Sequence, residues 1–228
     1  MAVTKATEGI EELPVDVRIT ASYRLLRTLV RSLNRVWLRT EVRGGDRVPL
    51  TGPVVIAPTH RAAIDFFPLA EITDRKLHFM VKDSVWKYRR FTGFFNFVGM
   101  FPIDRDSTDR VAMRRSERVL EAGEVLILFP EGTRRNSPDV EDLHDGAAYL
   151  AARAGAPIVP VGMGGTPAAL PKGKKLPRRT RVRVVVGTPI PAPTRSEGGR
   201  VPRSAIHNVT EELQKQLQAL YDEAEGRT

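Results

Sequence analysis

Short apolar runs alternate with polar, helix-length stretches along this chain. The pattern predicts an α/β fold: a mainly parallel sheet flanked by helices, with a basic amphipathic helix before it and another helix after it. Three observations carry that expectation. Runs such as Val54–Pro58, Leu77–Val81 and Val125–Phe129 are short and almost wholly apolar, as strands buried on both faces are. The segments between them are long and polar enough to serve as crossovers between parallel strands. A length of 228 residues suits one α/β unit with a substantial core.

The chain opens with a tail over residues 1–17 that lacks the apolar segment of a secretory signal. Residues 18–43 form the amphipathic helix. Leu26, Leu29, Val30, Leu33, Val36 and Trp37 recur at helical spacing, interleaved with Arg24, Arg27, Arg31, Arg35 and Arg39. Two readings of this helix are open: it lies on an anionic membrane, or it packs on the protein and its basic face is solvated. The α/β core spans 44–187. Strand Val54–Pro58 leads to helix Phe66–Ile72, strand Leu77–Val81 to a helix around Val85–Phe91, and strand Phe97–Ile103 to helix Thr108–Ala122. Strand Val125–Phe129 precedes helix Gly146–Ala154, and Ile158–Met163 and Val182–Val186 complete the strands. A proline-rich stretch, 188–203, links to a last helix capped by Ser204, with Ile206, Val209, Leu213, Leu217 and Leu220 as its apolar stripe. Residues 188–228 thus close a single domain.

Composition excludes several classes. No apolar run approaches the roughly 20 residues of a membrane span. With no cysteine there are no disulfides, thiol nucleophiles or thiolate metal sites. The four histidines lack zinc-ligand spacing, so no metal is expected. A net charge of +9 and a pI of about 10.2 favour polyanionic partners: nucleic acid, anionic lipid or phosphorylated substrates. The basic stretches carry no helix-turn-helix, zinc finger or aromatic RNA-binding signature, which argues against a nucleic-acid-binding module.

Four segments carry chemistry. His60-Arg-Ala-Ala-Ile-Asp65 follows a strand and a short turn. Residues five apart do not share a helix face, so the two side chains meet only if His60 precedes the helix and Asp65 begins it. Asp65 would then take the proton of one imidazole nitrogen and leave the other as a base; alone, the pair is equally a structural histidine with its acceptor. Gly99–Arg105, Phe129–Arg134 and Pro157–Val161 end three other predicted strands. Ligands of open α/β sheets bind beyond the carboxyl ends of the strands, which places His60, Arg105 and Arg134 on one edge. Arginine matches phosphate oxygens bidentately, and Gly132 and Thr133 are expected to offer backbone N–H and hydroxyl donors.

These blocks, in this order, resemble the glycerolipid acyltransferase superfamily, and within it the bacterial 1-acylglycerol-3-phosphate acyltransferases. Phe129-Pro-Glu-Gly-Thr-Arg134 is the most specific of them. Thr59 and Ala62 stand where the family commonly has Asn and Ser. The resemblance implies that His60, oriented by Asp65, deprotonates the acceptor hydroxyl as it attacks an acyl thioester. It implies that Arg105, Glu131, Gly132, Thr133 and Arg134 form the substrate's phosphate site, with Glu131 ordering the turn or orienting the arginines. The donor would be a thioester of CoA or acyl carrier protein, the acceptor lysophosphatidic acid, and the product phosphatidic acid. Glycerol 3-phosphate and other lysophospholipid or glycolipid acceptors stay open. No further cofactor is implied, and the expected location is peripheral, on the cytoplasmic face of the membrane. Phe91, Phe94, Phe95 and Phe97 are candidates for an acyl-chain groove, with ordinary core as the alternative. Arg61, next to the base, is open between a substrate contact and a solvated side chain. The basic run Lys172–Arg183 is open between an anion contact and a solvated loop.

Overall fold

A seven-stranded sheet forms the body of the computed structural model, which describes residues 16–82, 92–103, 110–174, 176–194 and 201–227. The strands are β1 (Glu41–Arg43), β2 (Val54–Pro58), β3 (Leu77–Lys82), β4 (Met100–Ile103), β5 (Val125–Ile127), β6 (Ile158–Gly164) and β7 (Arg183–Val186). Their order across the sheet is β1-β7-β6-β2-β5-β3-β4. All neighbours run parallel except β6 and β7, which are antiparallel. The helices are α1 (Ala21–Val36), α2 (Thr92–Phe97), α3 (Arg110–Glu121), α4 (Gly146–Ala154), α5 (Thr166–Ala169) and α6 (Arg203–Glu225).

The central strand β2 is buried along its whole length and sends alternate side chains to two separate cores. Val54 and Ile56 join Leu69, Ile72, Phe79, Phe129 and Val161 on one face. Val55 and Ala57 join Leu120, Leu150, Leu213, Leu217 and Tyr221 on the other, beneath α3, α4 and α6. This double burial explains why the strands read as continuous apolar runs rather than alternating ones.

Several expectations need correction. The amphipathic helix stops at Val36, not Arg43: Arg39 takes a positive φ of 41° and turns the chain into β1. Residues Thr92–Phe97 are helical, so the strand expected from Phe97 begins only at Met100. The helix expected over Phe66–Ile72 is a single 3₁₀ turn, Pro68–Glu71, opened by its proline. Pro202, not Ser204, precedes the first turn of α6. In α6 Tyr221 and Ala224 continue the buried stripe past Leu217, while Leu220 is only partly buried. The helix expected around Val85–Phe91 falls outside the described residues.

Helix α1 turns two of its arginines, Arg27 and Arg31, toward the protein. Arg31 donates to the carbonyls of Ala70 and Thr73 at 2.7 and 2.8 Å and pairs with Asp74 at 2.6 Å, and Arg27 reaches the Asp74 carbonyl. These bonds satisfy carbonyls at the end of the 3₁₀ turn and hold the helix on the protein. Asp74 is mostly exposed, and the hydrogen bond from Arg31 lowers its pKa. The outward face carries Leu25, Leu29, Leu33 and Val36, all exposed. Trp37 is also partly exposed, but its indole N–H is held by the Pro177 carbonyl at 3.1 Å. Among the described residues, no helix is long and apolar enough to cross a membrane.

Candidate active site

The chain leaves β2 across one face of the sheet and leaves β5 across the other, so the two loops meet above the carboxyl edge of these adjacent strands. Thr59 starts the first loop. Its N–H donates to the Val161 carbonyl and its hydroxyl accepts the Met163 N–H at 3.1 Å, which stitches the loop to β6. The substitution of Thr for the family's Asn therefore keeps a polar group and spends it on the neighbouring strand.

His60 and Asp65 do meet. Imidazole Nδ1 lies 2.8 Å from Asp65 Oδ2, and both residues are buried. The same oxygen accepts the backbone N–H groups of Arg61 at 2.7 Å and Ala62 at 2.9 Å. The carboxylate thus folds back over its own loop, and no α-helix is needed to place it. Two backbone N–H groups already donate to Oδ2, and opposite a carboxylate oxygen Nδ1 serves as the ring's donor, which leaves Nε2 as the ring nitrogen not engaged by Asp65. Asp65 Oδ1 is buried without a hydrogen-bond partner, a desolvation cost the loop retains at this point. The His60 ring stacks on Phe129, 4.1 Å between centroids and 27° between planes, and Phe66 meets it edge-on at 6.2 Å.

Glu131, expected in the substrate's phosphate site as the residue that orders the turn or orients the arginines, points inward. It is fully buried, and Oε1 accepts the His60 backbone N–H at 2.9 Å. Arg61 Nη1 donates to both carboxylate oxygens, at 2.7 and 2.5 Å. With its side chain fully buried, the carboxylate is bonded to the His60 backbone and to Arg61. Arg61, one of whose readings was a solvated side chain, is buried as well. It also donates to the carbonyls of His60 and Asp139, and its guanidinium lies 4.5 Å from the Tyr221 ring centroid.

Gly132 and Thr133 do not offer free backbone donors. The Gly132 N–H bonds to the Phe129 carbonyl at 3.1 Å and the Thr133 N–H to the Glu131 carbonyl at 2.7 Å. These bonds close the turn that holds Glu131 inward. Gly132 has a φ of +67°, and a Cβ there would sit 2.8 Å from the His144 ring, so the turn requires glycine. Thr133 and Arg134 are exposed at the rim. Arg135 binds the loop instead, its N–H donating to the His60 carbonyl at 3.0 Å and its guanidinium pairing with Glu141 at 2.9 Å. Arg105 and Phe91 lie outside the described residues.

On the other side of Phe66 an apolar cavity of about 310 Å³ runs between α1, the 3₁₀ turn and α2. Phe66, Phe67, Phe79, Phe94 and Phe95 line it, with Leu26 and Val30. Phe94 and Phe95, two of the candidates for a groove, are among its walls. Phe97 is not; its ring packs edge-on against Tyr23 at 6.1 Å. In the basic run, Arg181 and Arg183 are paired with Glu41 across the edge of the sheet.

A histidine–aspartate pair and a buried glutamate turn thus stand together at the carboxyl edge of an α/β sheet. The sequence model of the acyltransferase family matches residues 39–164, more than half the chain, and the chain belongs to that family. It is 30% identical over 156 residues to a 1-acyl-sn-glycerol-3-phosphate acyltransferase of Bacillus subtilis, covering 65% of this chain and 75% of that one. A protein of the same name from Streptococcus pneumoniae is 32% identical over 172 residues, covering 75% of this chain and 61% of that one. The chain spans about half the length of the matched plant and mammalian relatives, for example 45% of the chloroplastic one of Brassica napus and 53% of the mouse alpha form. The crystal structure of a 1-acyl-sn-glycerophosphate (LPA) acyltransferase from Thermotoga maritima superposes with a TM-score of 0.66. That match covers 88% of this chain and 83% of that one, at 19% identity, and so establishes the shared fold.

Sequence reasoning missed three parts of the site: the Arg61–Glu131 pair, the aromatic shelf under His60, and Tyr221. The one signal for Arg61 was its position next to the base. Nothing in the spacing connects either partner to Tyr221.

Proposed function

We propose that this chain transfers a fatty acyl group from an acyl thioester of CoA or acyl carrier protein to the free hydroxyl of 1-acylglycerol 3-phosphate, giving phosphatidic acid. The observation that carries the reading is the buried His60–Asp65 pair, 2.8 Å apart, in a chain of the acyltransferase family. With its proton fixed on Nδ1, His60 takes the acceptor's hydroxyl proton on Nε2 as the oxygen attacks the thioester carbonyl. Asp65 stabilises the imidazolium that forms. The tetrahedral intermediate then expels the thiolate as the carbon–sulfur bond breaks, and His60 returns its proton to that sulfur. No covalent acyl-enzyme is involved.

Arg134, exposed at the rim of the turn, and Arg105 hold the glycerol phosphate in this reading, with the Thr133 hydroxyl as a further donor. The apolar cavity beyond Phe66 takes an acyl chain; its volume lies within the range of ligand sites. The exposed Leu25, Leu29, Leu33 and Val36 of α1, beside that cavity, support a peripheral position on an anionic membrane, at the cytoplasmic face where thioesters are made.

The test is acyl transfer from acyl-CoA to lysophosphatidic acid, with products identified by mass spectrometry. Phosphatidic acid is expected from the wild type, and its loss in His60→Ala. Undiminished turnover in His60→Ala would sink the mechanism. Transfer to glycerol 3-phosphate alone would move the acceptor to that substrate.

A further inference from the structure

We infer that Tyr221, on the C-terminal helix, is a positioning residue of the active site, acting through Arg61 and Glu131 on His60. The proposal deepens the acyl-transfer reading and rests on it for its kinetic part. Helix α6 lies wholly beyond the stretch matched to the family, 39–164, yet it packs directly against the site's strands.

Two glycines of β6 bring it there. Gly162 and Gly164 point to the same face of the sheet. A Cβ at Gly162 would lie 2.3 Å from the Leu220 carbonyl, and one at Gly164 2.3 Å from that of Ala224. The helix backbone thus rests on the strand without intervening side chains. This contact delivers the Tyr221 ring, 5% exposed, to the Arg61 guanidinium at 4.5 Å. Arg227, just past the helix, lies over the same ring at 4.6 Å. The helix also grips the loop beneath Arg61. Gln218 accepts the Val140 N–H at 2.7 Å, and Gln214 donates to the Val140 carbonyl at 3.1 Å.

Arg61 needs such a partner. Its side chain is almost fully buried, its Nε has no hydrogen-bond partner, and one guanidinium nitrogen carries both bonds to Glu131. An aromatic face supplies attraction to a desolvated cation and blocks rotation of its plane. With the guanidinium fixed, Glu131 is fixed, and Glu131 holds the His60 backbone N–H at 2.9 Å. A contact from a helix some 160 residues away in sequence thereby sets the placement of the base.

The experiment compares Tyr221→Leu, Tyr221→Phe, Leu217→Ala, Arg61→Met and the Tyr221→Leu/Arg61→Met double variant in the full chain. Acyl transfer from acyl-CoA to lysophosphatidic acid gives kcat and KM, and amide hydrogen exchange reads the His60 N–H. In Tyr221→Leu, kcat is expected to fall and His60 exchange to quicken, each about tenfold, with both KM values little changed. Tyr221→Phe restores both, because the ring face and not the hydroxyl meets Arg61. The double variant loses no more than Arg61→Met alone. Leu217→Ala lowers stability through the same helix but leaves kcat and His60 protection intact. The proposal is overturned if Tyr221→Leu keeps its kcat and His60 protection, or if Leu217→Ala reproduces its losses. It is also overturned if the double variant's losses are additive. A wild type inactive on lysophosphatidic acid would refute the proposed acceptor, and the exchange comparison would still decide the role of Tyr221.

Discussion

Replacing Glu131 by Gln separates its structural role from the substrate-binding one. The change keeps the side chain's volume and leaves one oxygen to accept the His60 N–H. It removes the charge that faces Arg61 in a site where neither side chain is more than 1% exposed. Solvent screening is therefore absent, and the arginine is left as an uncompensated buried cation. Breaking one side of such a pair costs about 3–5 kcal/mol, a large part of the roughly 5–15 kcal/mol that holds a domain folded. At about 2–4 °C per kcal/mol for a chain of this size, the melting temperature is expected to fall by roughly 10 °C. Calorimetry measures that shift, and initial rates against acceptor concentration measure the site. Arg61→Met/Glu131→Leu is expected to recover most of the stability, since an apolar pair needs no solvation, but not the rate, because the His60 N–H has lost its acceptor. An unchanged melting temperature in Glu131→Gln, with a rise confined to the acceptor's KM, would refute the reasoning and return Glu131 to the substrate's phosphate.

Asp65→Asn presents an amide N–H₂ as well as an oxygen to Nδ1 and favours the wrong imidazole tautomer, so kcat is expected to drop by about a hundredfold or more while the fold is kept; unaltered rates would dismiss Asp65 as the orienting group. Gly132→Ala forces a left-handed φ and pushes on His144, and urea unfolding should show a loss of about 1–2 kcal/mol. His78, buried on β3, has its pKa pushed from 6.5 down to about 3 by desolvation, with Lys76 and Arg115 adding to the shift and Asp16 opposing it. The unfolded chain binds that proton below pH 6.5 and the folded chain does not until about pH 3. The stability from this residue is therefore complete above pH 6.5 and is lost as pH falls toward 3, by about 2 kcal/mol between pH 8 and pH 5. Denaturant titrations of wild type and His78→Gln at the two pH values check this, and an identical pH dependence in both would refute it. A Leu25→Glu/Leu29→Glu variant is expected to lose binding to anionic vesicles with its melting temperature unchanged; retained binding would remove α1 from the membrane contact.

The central strands were legible because burial on both faces leaves a continuous apolar run, as in Val54–Pro58 and Ile158–Gly164. Helix α4 was legible to the residue because Gly155 stops it in a left-handed conformation. The end of α1 was not, since apolar spacing continues past Val36 and one positive φ at Arg39 ends the helix. Phe97 misled because the apolar run continues through it into Met100–Ile103, whereas it ends a helical turn and its ring packs on Tyr23. In the site, His60 and Asp65 are close in sequence, and a five-residue loop allows few ways for them to meet. Glu131 and Arg61 are seventy residues apart. Their motifs place both on one sheet edge, but a strand-end position does not say whether a carboxylate turns outward to a ligand or inward to a buried guanidinium. The positive φ at Gly132 makes that choice, by folding the turn back so that its amides are used and Glu131 points inward.

The two faces of the sheet meet at His60 with different chemistry. On the α6 face lie Arg61, Glu131 and Tyr221, charged and rigidly bonded. On the α1 face Phe129 and Phe66 continue into the apolar cavity: Phe66 meets Phe129 and Phe79 edge-on, each at 5.4 Å, and lines the cavity itself. The acyl-transfer reading requires such a division. Its substrates are amphipathic, and the reacting hydroxyl and thioester carbonyl sit where an apolar chain joins a polar head. A base placed at the boundary can reach those atoms while the chain stays in the cavity and the phosphate stays among arginines at the rim. The buried ion pair stabilises the boundary from the polar side. It holds the loop by its backbone, so that the imidazole keeps its stacking on Phe129 and, in the acyl-transfer reading, turns one nitrogen to the reacting oxygen.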